Sequence, residues 1–91
     1  MLTIQFHNKF KKDLKLMIRR GYDEEKLWSV VEKLAAEMPL PPANRDHALT
    51  GNYRGCRECH IEPDWLLVYE VKKGELVLIL TRTGTHSDLD F

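Results

Sequence analysis

Partway along the chain the apolar residues change their spacing, and that change limits the possible folds more than any other feature. Up to Met38 they recur every three or four residues, whereas from Tyr53 onward they run in short blocks separated by turn sequences. Phe10, Leu14, Met17 and Ile18 predict one face of a first helix, with Asn8 as its cap and Gly21 as a left-handed stop. Leu27, Val30, Val31, Leu34 and Met38 predict the buried face of a second. Asp23 caps that helix, Glu24 and Glu25 suit the positive end of its dipole, and Pro39 ends it. Leu2, Ile4 and Phe6 alternate with polar residues as an opening strand does. Three more strands are expected at 53–62, 65–71 and 76–82, joined by Pro63-Asp64 and by Lys72-Lys73-Gly74-Glu75. The stiff stretch from Pro39 to Pro42 leads into an aperiodic loop, Asn44 to Gly51.

The predicted order is β-α-α-β-β-β, an α+β fold with two N-terminal helices packed on an antiparallel sheet. Ninety-one residues make a single domain, 1–91, with material for one modest core. An apolar content of 43% excludes wholesale disorder, and the longest apolar run, Leu76 to Leu80, is far too short to span a membrane. With two cysteines and no basic region followed by an apolar run near Met1, the expectation is a cytoplasmic protein without membrane contact. Both faces of the last two strands are apolar, so periodicity does not say which face the helices cover.

Net charge is zero, but its distribution is uneven. Lys9, Lys11, Lys12, Lys15, Arg19 and Arg20 stand against one acid, Asp13, on about three helical turns. Screening limits the reach of each charge to about 8–10 Å, so such a stripe can hold phosphate although the whole molecule is neutral. The competing reading is a solvated helix face.

If both hairpins keep even loops, Glu62 lies opposite Trp65, His60 opposite Leu67 and Trp65 opposite Arg82. His60, Trp65 and Arg82 then project from one face, at the sheet end where Asp64 turns the chain and where His86 and Phe91 leave it. Histidine can take or give a proton near neutral pH. Two histidines beside a carboxylate and an arginine meet the needs of metal-free phosphodiester cleavage. One group deprotonates the ribose 2′-hydroxyl, another protonates the departing 5′-oxygen, and the cation steadies the phosphoryl charge. Trp65 and Phe91 offer faces for stacking on bases, with a core role as the alternative for Trp65. His7 reads as a structural residue. Cys56-Arg-Glu-Cys59-His60 has the form of a c-type haem attachment sequence, but residues three apart on a strand face opposite sides. That spoils a haem or zinc site and favours buried free thiols.

The run His47-Ala-Leu-Thr-Gly51-Asn-Tyr53-Arg-Gly55-Cys-Arg57-Glu58-Cys-His60-Ile-Glu-Pro-Asp64-Trp65-Leu-Leu-Val-Tyr69 resembles the YafQ branch of the RelE-like toxins. So does the ending Leu80-Thr-Arg82-Thr-Gly84-Thr-His86-Ser-Asp-Leu-Asp-Phe91. The resemblance covers essentially the whole chain. It implies a microbial-ribonuclease-like α+β domain, the toxin of a bacterial type II toxin–antitoxin pair, which enters the ribosomal A site and cuts messenger RNA without a metal or other cofactor. His47, His60, Asp64 and His86 match the family's catalytic set, and Trp65, Arg82 and Phe91 its supporting residues. On that basis His60 and His86 are the acid–base pair, Asp64 an orienter or alternative base, Arg82 the phosphate ligand, and His47 a base or substrate-positioning group. Lys9, Lys11, Lys12, Lys15 and Arg19 are the expected RNA contacts. The implied partners are a cognate antitoxin, the messenger and ribosomal RNA of the A site, and operator DNA only through the antitoxin. A non-catalytic nucleic-acid- or protein-binding module on the same fold is the alternative. It would have no use for His60, Asp64 and His86 together.

Overall fold

The computed structural model describes residues 1–89. The elements are β1 (Thr3–Phe6), α1 (Asn8–Arg19), α2 (Glu24–Ala35), β2 (His47–Ala48), β3 (Arg57–Glu62), β4 (Trp65–Lys72), β5 (Val77–Gly84) and α3 (His86–Leu89). The sheet runs in the order β1-β5-β4-β3-β2. The α+β class and the order of its main elements follow the sequence reading, but the sheet is mixed rather than wholly antiparallel. β1 lies parallel to β5, and the other pairs are antiparallel. The β3-β4-β5 meander leaves β5 with an open edge, which β1 fills. The two-residue β2, in the stretch read as an aperiodic loop, pairs with β3.

Local signals explain most element ends. Gly21 has φ +93°, and the Asp23 carboxylate accepts the Glu25 N–H at 3.0 Å. Two details differ from expectation. His7, not Asn8, stands at the α1 cap position, without a side-chain bond. α2 stops at Ala35, earlier than Pro39 required: Glu37 turns left-handed at φ +57°. Its N–H bonds to the Leu34 carbonyl, and that of Met38 to the Lys33 carbonyl. This closing turn leaves Met38 exposed instead of in the core.

β4 is buried on both sides. Trp65, Leu67 and Tyr69 face α1 and α2 in the main core with Phe10, Met17, Leu27, Val31, Cys59, Leu78 and Leu80. Leu66 and Val68 face the other way, under Leu89 and the partly buried Leu49, Tyr53 and Cys56. The apolar character of both faces thus reflects two covers, the helices on one side and the 49–56 loop with α3 on the other.

The pairing register also departs from the even-loop reading. Glu62 does lie opposite Trp65, but a bulge at Ile61 sets His60 opposite Leu66 rather than Leu67. The β4–β5 register itself runs two positions off the even-loop reading, and a second irregularity, at Thr81, moves Arg82 one further, opposite Val68 rather than Trp65. An inserted residue inverts the side on which its neighbours project. His60 and Arg82 therefore share the face of Leu66 and Val68, while Trp65 points into the helix-covered core, fully buried. Its indole N–H donates to Thr83 Oγ1 at 2.9 Å, and the Thr83 hydroxyl donates to the Leu66 carbonyl at 2.6 Å. Tyr22 meets the Trp65 ring edge-on at 5.2 Å.

α3 is one turn long, and a turn of that length does not hold by propensity. Thr85 and Asp88 form a reciprocal cap: the Thr85 N–H donates to Asp88 Oδ2 at 2.9 Å and the Asp88 N–H to Thr85 Oγ1 at 3.2 Å. Arg20, just past α1, reaches the same carboxylate with two bonds, 2.7 and 3.1 Å. Gly84 allows this closeness, since a β-carbon there would stand 2.9 Å from Asp88 Cβ.

Trp65→Ala costs about 3–5 kcal/mol in chemical denaturation, as truncation of a fully buried large aromatic does, and Trp65→Phe costs less. A fully stable Trp65→Ala protein would place the ring outside the core. The Arg20 guanidinium, with the Thr85 N–H, holds the Asp88 carboxyl at about 2. A depressed folded pKa adds stability above the unfolded value of 3.8, and that stability is lost as pH falls through about 2. The stability gap between the wild type and Asp88→Asn is therefore constant above about pH 5 and closes between pH 4 and 2, readable by urea titration at each pH.

Candidate active site

On the face of the sheet away from α1 and α2, five titratable side chains lie in a file. His47 on β2 places Nε2 3.5 Å from Glu58 Oε1. The same oxygen is 3.8 Å from His60 Nε2. The His60 ring is 5.5 Å, centroid to centroid, from that of His86 on α3. His86 Nδ1 is 2.5 Å from Asp64 Oδ1 in the β3–β4 turn. The middle of the file is buried and its ends are open: the side chains of Glu58 and His60 are 8% and 10% exposed, those of His47 and His86 51% and 52%.

Each histidine is oriented by a group that can only accept. The His60 Nδ1–H donates to the Pro63 carbonyl at 3.2 Å, and the His47 Nδ1–H to the Arg45 carbonyl at 2.8 Å. Arg45 adopts φ +46° in the turn that delivers His47. The Asn44 amide ties that loop to the His60 carbonyl at 2.7 Å. The Asp64 oxygen that receives the His86 ring also accepts the His86 backbone N–H at 3.0 Å. The backbone N–H first, then the ring, hold the Asp64 carboxyl below its ordinary value, so it is ionised at neutral pH and accepts only. In all three rings Nδ1 therefore carries the proton and Nε2 is the nitrogen left to exchange one. The buried Glu58 carboxylate is positioned to compensate positive charge on His47 or His60.

Arg82 shares this face, in the row His47, Glu58, Val68, Arg82, so its backbone is two strands, roughly 10 Å, from that of Glu58. Its Nε–H and an Nη2–H bind the Asp13 carboxylate at 2.6 and 3.1 Å, and Nη1 is 3.5 Å from the Tyr53 hydroxyl. Asp13 also accepts the N–H of Thr83, on the part of β5 that continues beyond β1. The one acid in the basic stretch is thus what fixes the arginine, and it pushes the guanidinium pKa further up.

The residues singled out from the sequence separate into groups. His47, His60, Asp64 and His86 come together. Arg82 lies on the same face, beside the file. Trp65 does not join them: buried on the far side of the sheet by the change of register, its ring cannot reach a base. Phe91 lies outside the described residues. Lys9, Lys11, Lys12, Lys15 and Arg19 are all exposed on α1. Lys9 lines a groove with His7, Asn8, Asn52, Tyr53 and Arg82, while Lys11 and Lys15 border an apolar one made by Phe6, Phe10, Leu14, Ile18 and Trp28. Glu58 is the site residue that sequence reasoning missed. Its signal was the alternation of β3, which puts Glu58 and His60 on one face. The two thiols belong to different clusters, Cys56 to the smaller and Cys59 to the main core. Burial raises both, Cys59 to about 12, so neither is a nucleophile at neutral pH.

Comparison with known proteins bears on this arrangement. Residues 2–90 match the family described as bacterial toxin of type II toxin-antitoxin system, YafQ. The mRNA interferase toxin YafQ of Escherichia coli K12 is 39% identical over 87 residues, 94% of this chain and 92% of that protein. A metal-bound toxin from Helicobacter pylori superposes with a TM-score of 0.92 at 50% identity, covering 98% of this chain and 99% of the other. The toxin in the E. coli DinJ-YafQ toxin-antitoxin complex gives 0.86 at 37% identity, covering 97% and 96%. Among the described residues no group of three or more His, Cys, Asp or Glu side chains is arranged to hold a metal ion. With a family match along nearly its whole length and relatives of similar size, the chain belongs to the YafQ family of bacterial type II toxin–antitoxin toxins.

Proposed function

We propose that this toxin is an endoribonuclease that cuts messenger RNA on the ribosome by metal-independent acid–base chemistry. The observation that carries the reading is the anchoring of His86 to Asp64 through both its ring and its backbone N–H, with the His60 ring 5.5 Å away. Two imidazoles with fixed tautomers, one open to solvent and one nearly buried, can divide the proton transfers of phosphodiester cleavage. One takes the proton of the ribose 2′-hydroxyl, whose oxygen attacks phosphorus. The other protonates the 5′-oxygen as its bond to phosphorus breaks, leaving a 2′,3′-cyclic phosphate and a 5′-hydroxyl.

His86 and His60 are assigned as this pair, Asp64 as the orienter of His86, and Glu58 as the counter-charge beside His60. His47, on the other side of Glu58, positions the substrate or serves as base. Arg82, held by Asp13, steadies the phosphoryl oxygens. Lys12, Lys15 and Arg19 face away from the core on α1 and offer phosphate contacts to the A-site RNA, with Lys9 and Lys11 at the margins of the stripe. The name of the E. coli relative as an mRNA interferase supports the reaction, and the DinJ-YafQ complex supports a cognate antitoxin as the protein partner. Among the described residues no helix is long and apolar enough to cross a membrane.

Expression of the wild type arrests growth and produces in-frame 5′ ends in translated messengers, whereas His86→Ala cleaves at least ~10²-fold more slowly with an unchanged fold. A soluble wild type that neither arrests growth nor cuts would leave a binding module. Toxin stripped with EDTA and added to a translating system retains its cleavage; stripped toxin that regains activity only with added zinc or copper would refute the metal-independent route.

A further inference from the structure

Arg20 belongs by sequence to the basic stretch of α1, but it does not act as the other cations there do. At the α1 C-terminus its guanidinium lies over Met17, with Nη1 3.8 Å from Sδ, and turns toward α3 to grip Asp88 with two bonds. Asp88 is the residue that closes α3 on itself through Thr85. α3 carries His86, which no regular secondary structure of useful length supports. It is pinned at two places only a residue or two apart: Asp64 holds the His86 backbone and ring, and Asp88 holds the turn against α1. Gly84 admits Asp88 at an approach that a β-carbon at position 84 would forbid.

We infer that Arg20 is a positioning residue: through Asp88 it places the imidazole of His86 for proton transfer, without touching the RNA itself. The inference rests on the reading of His86 as a proton-transfer group. A bidentate arginine–carboxylate pair fixes orientation as well as distance, which a lysine in its place would not reproduce. Loss of the clamp unties α3 from α1 and leaves it to Asp64, its own Thr85–Asp88 cap and the buried Leu89, and small misplacements of a reacting group reduce turnover steeply.

The experiment compares the wild type, Arg20→Ala, Arg20→Lys, Asp88→Asn and the Arg20→Ala/Asp88→Asn double variant. Cleavage of a translated messenger gives kcat and KM, and nitrogen-15 spectra of the histidines with amide exchange at residues 86–88 report on the turn. Arg20→Ala and Asp88→Asn are each expected to lower kcat by about tenfold to a hundredfold at nearly unchanged KM. The double variant should be no worse than the poorer single one, and Arg20→Lys should recover part of the loss. The His86 Nδ1 signal and the α3 amides should lose protection while the sheet amides keep theirs. A higher KM and a shallower salt dependence for Arg20→Ala, with Asp88→Asn like wild type, would make Arg20 an RNA contact and overturn the inference. So would wild-type kcat in both single variants. If the wild type cleaves no RNA yet the His86 signal still moves in Arg20→Ala, the positioning stands and the reading of His86 as catalytic falls.

Discussion

A central strand buried on both faces needs two covers, and nearly everything distinctive about this molecule follows from that need. Trp65, Leu67 and Tyr69 require the helices; Leu66 and Val68 require something on the other side. The second cover is thin, made of the 49–56 loop and one turn of helix, which pack Leu89, Leu49, Tyr53 and Cys56 over Leu66 and Val68. Polar contacts add to that packing. Asp64 and Arg20 anchor α3, and the Leu49 N–H closes the loop on the Cys56 carbonyl at 2.9 Å. The file of histidines stands at the margin of this cover, where side chains have a packed floor beneath them and solvent above. That is the mixed environment in which proton-transferring groups are both fixed and reachable.

α1 contributes to the site from outside it. α1 runs along the β5 edge, and its Asp13 stands in for the missing neighbouring strand by accepting the Thr83 N–H while holding Arg82. An open edge is thereby covered and a cation aligned with one carboxylate. At its far end the same helix supplies Arg20. Packing and site geometry are therefore not separable here: a rotation of α1 would move both the cationic and the imidazole sides of the site.

What could be read from the sequence was whatever repeats or punctuates. The helical spacing of Phe10 to Ile18 and of Leu27 to Leu34, the cap at Asp23 and the stop at Gly21 all carried through. The features that escaped were single events. A bulge adds one residue and leaves no trace in a period of two, so alternation alone groups Trp65 with His60, whereas the bulge puts the two on opposite faces. β2 is two residues long and cannot show alternation. The direction of β1 depends on which edge is left vacant by strands far along the chain. Glu58 escaped because a charged residue on a strand reads as solvent-facing, and its burial makes sense only with two histidines around it. Asp13 reads in the sequence as one acid against six bases, whereas its geometry makes it the partner of Arg82. Of the candidate site, then, the histidines and Asp64 are legible in the sequence and their supports are not.

The contacts that complete the site join residues far apart in the chain. Thr3 pairs with Val77, Asp13 holds Arg82, and Arg20 holds Asp88. Long loops must close before any of these pays back its ordering entropy, so the sheet and the site assemble late and together. A chain still being synthesised holds the basic helix early but neither the β5 edge nor the turn bearing His86 until the last part has emerged. Connectivity alone thus leaves an unfinished copy without an assembled site.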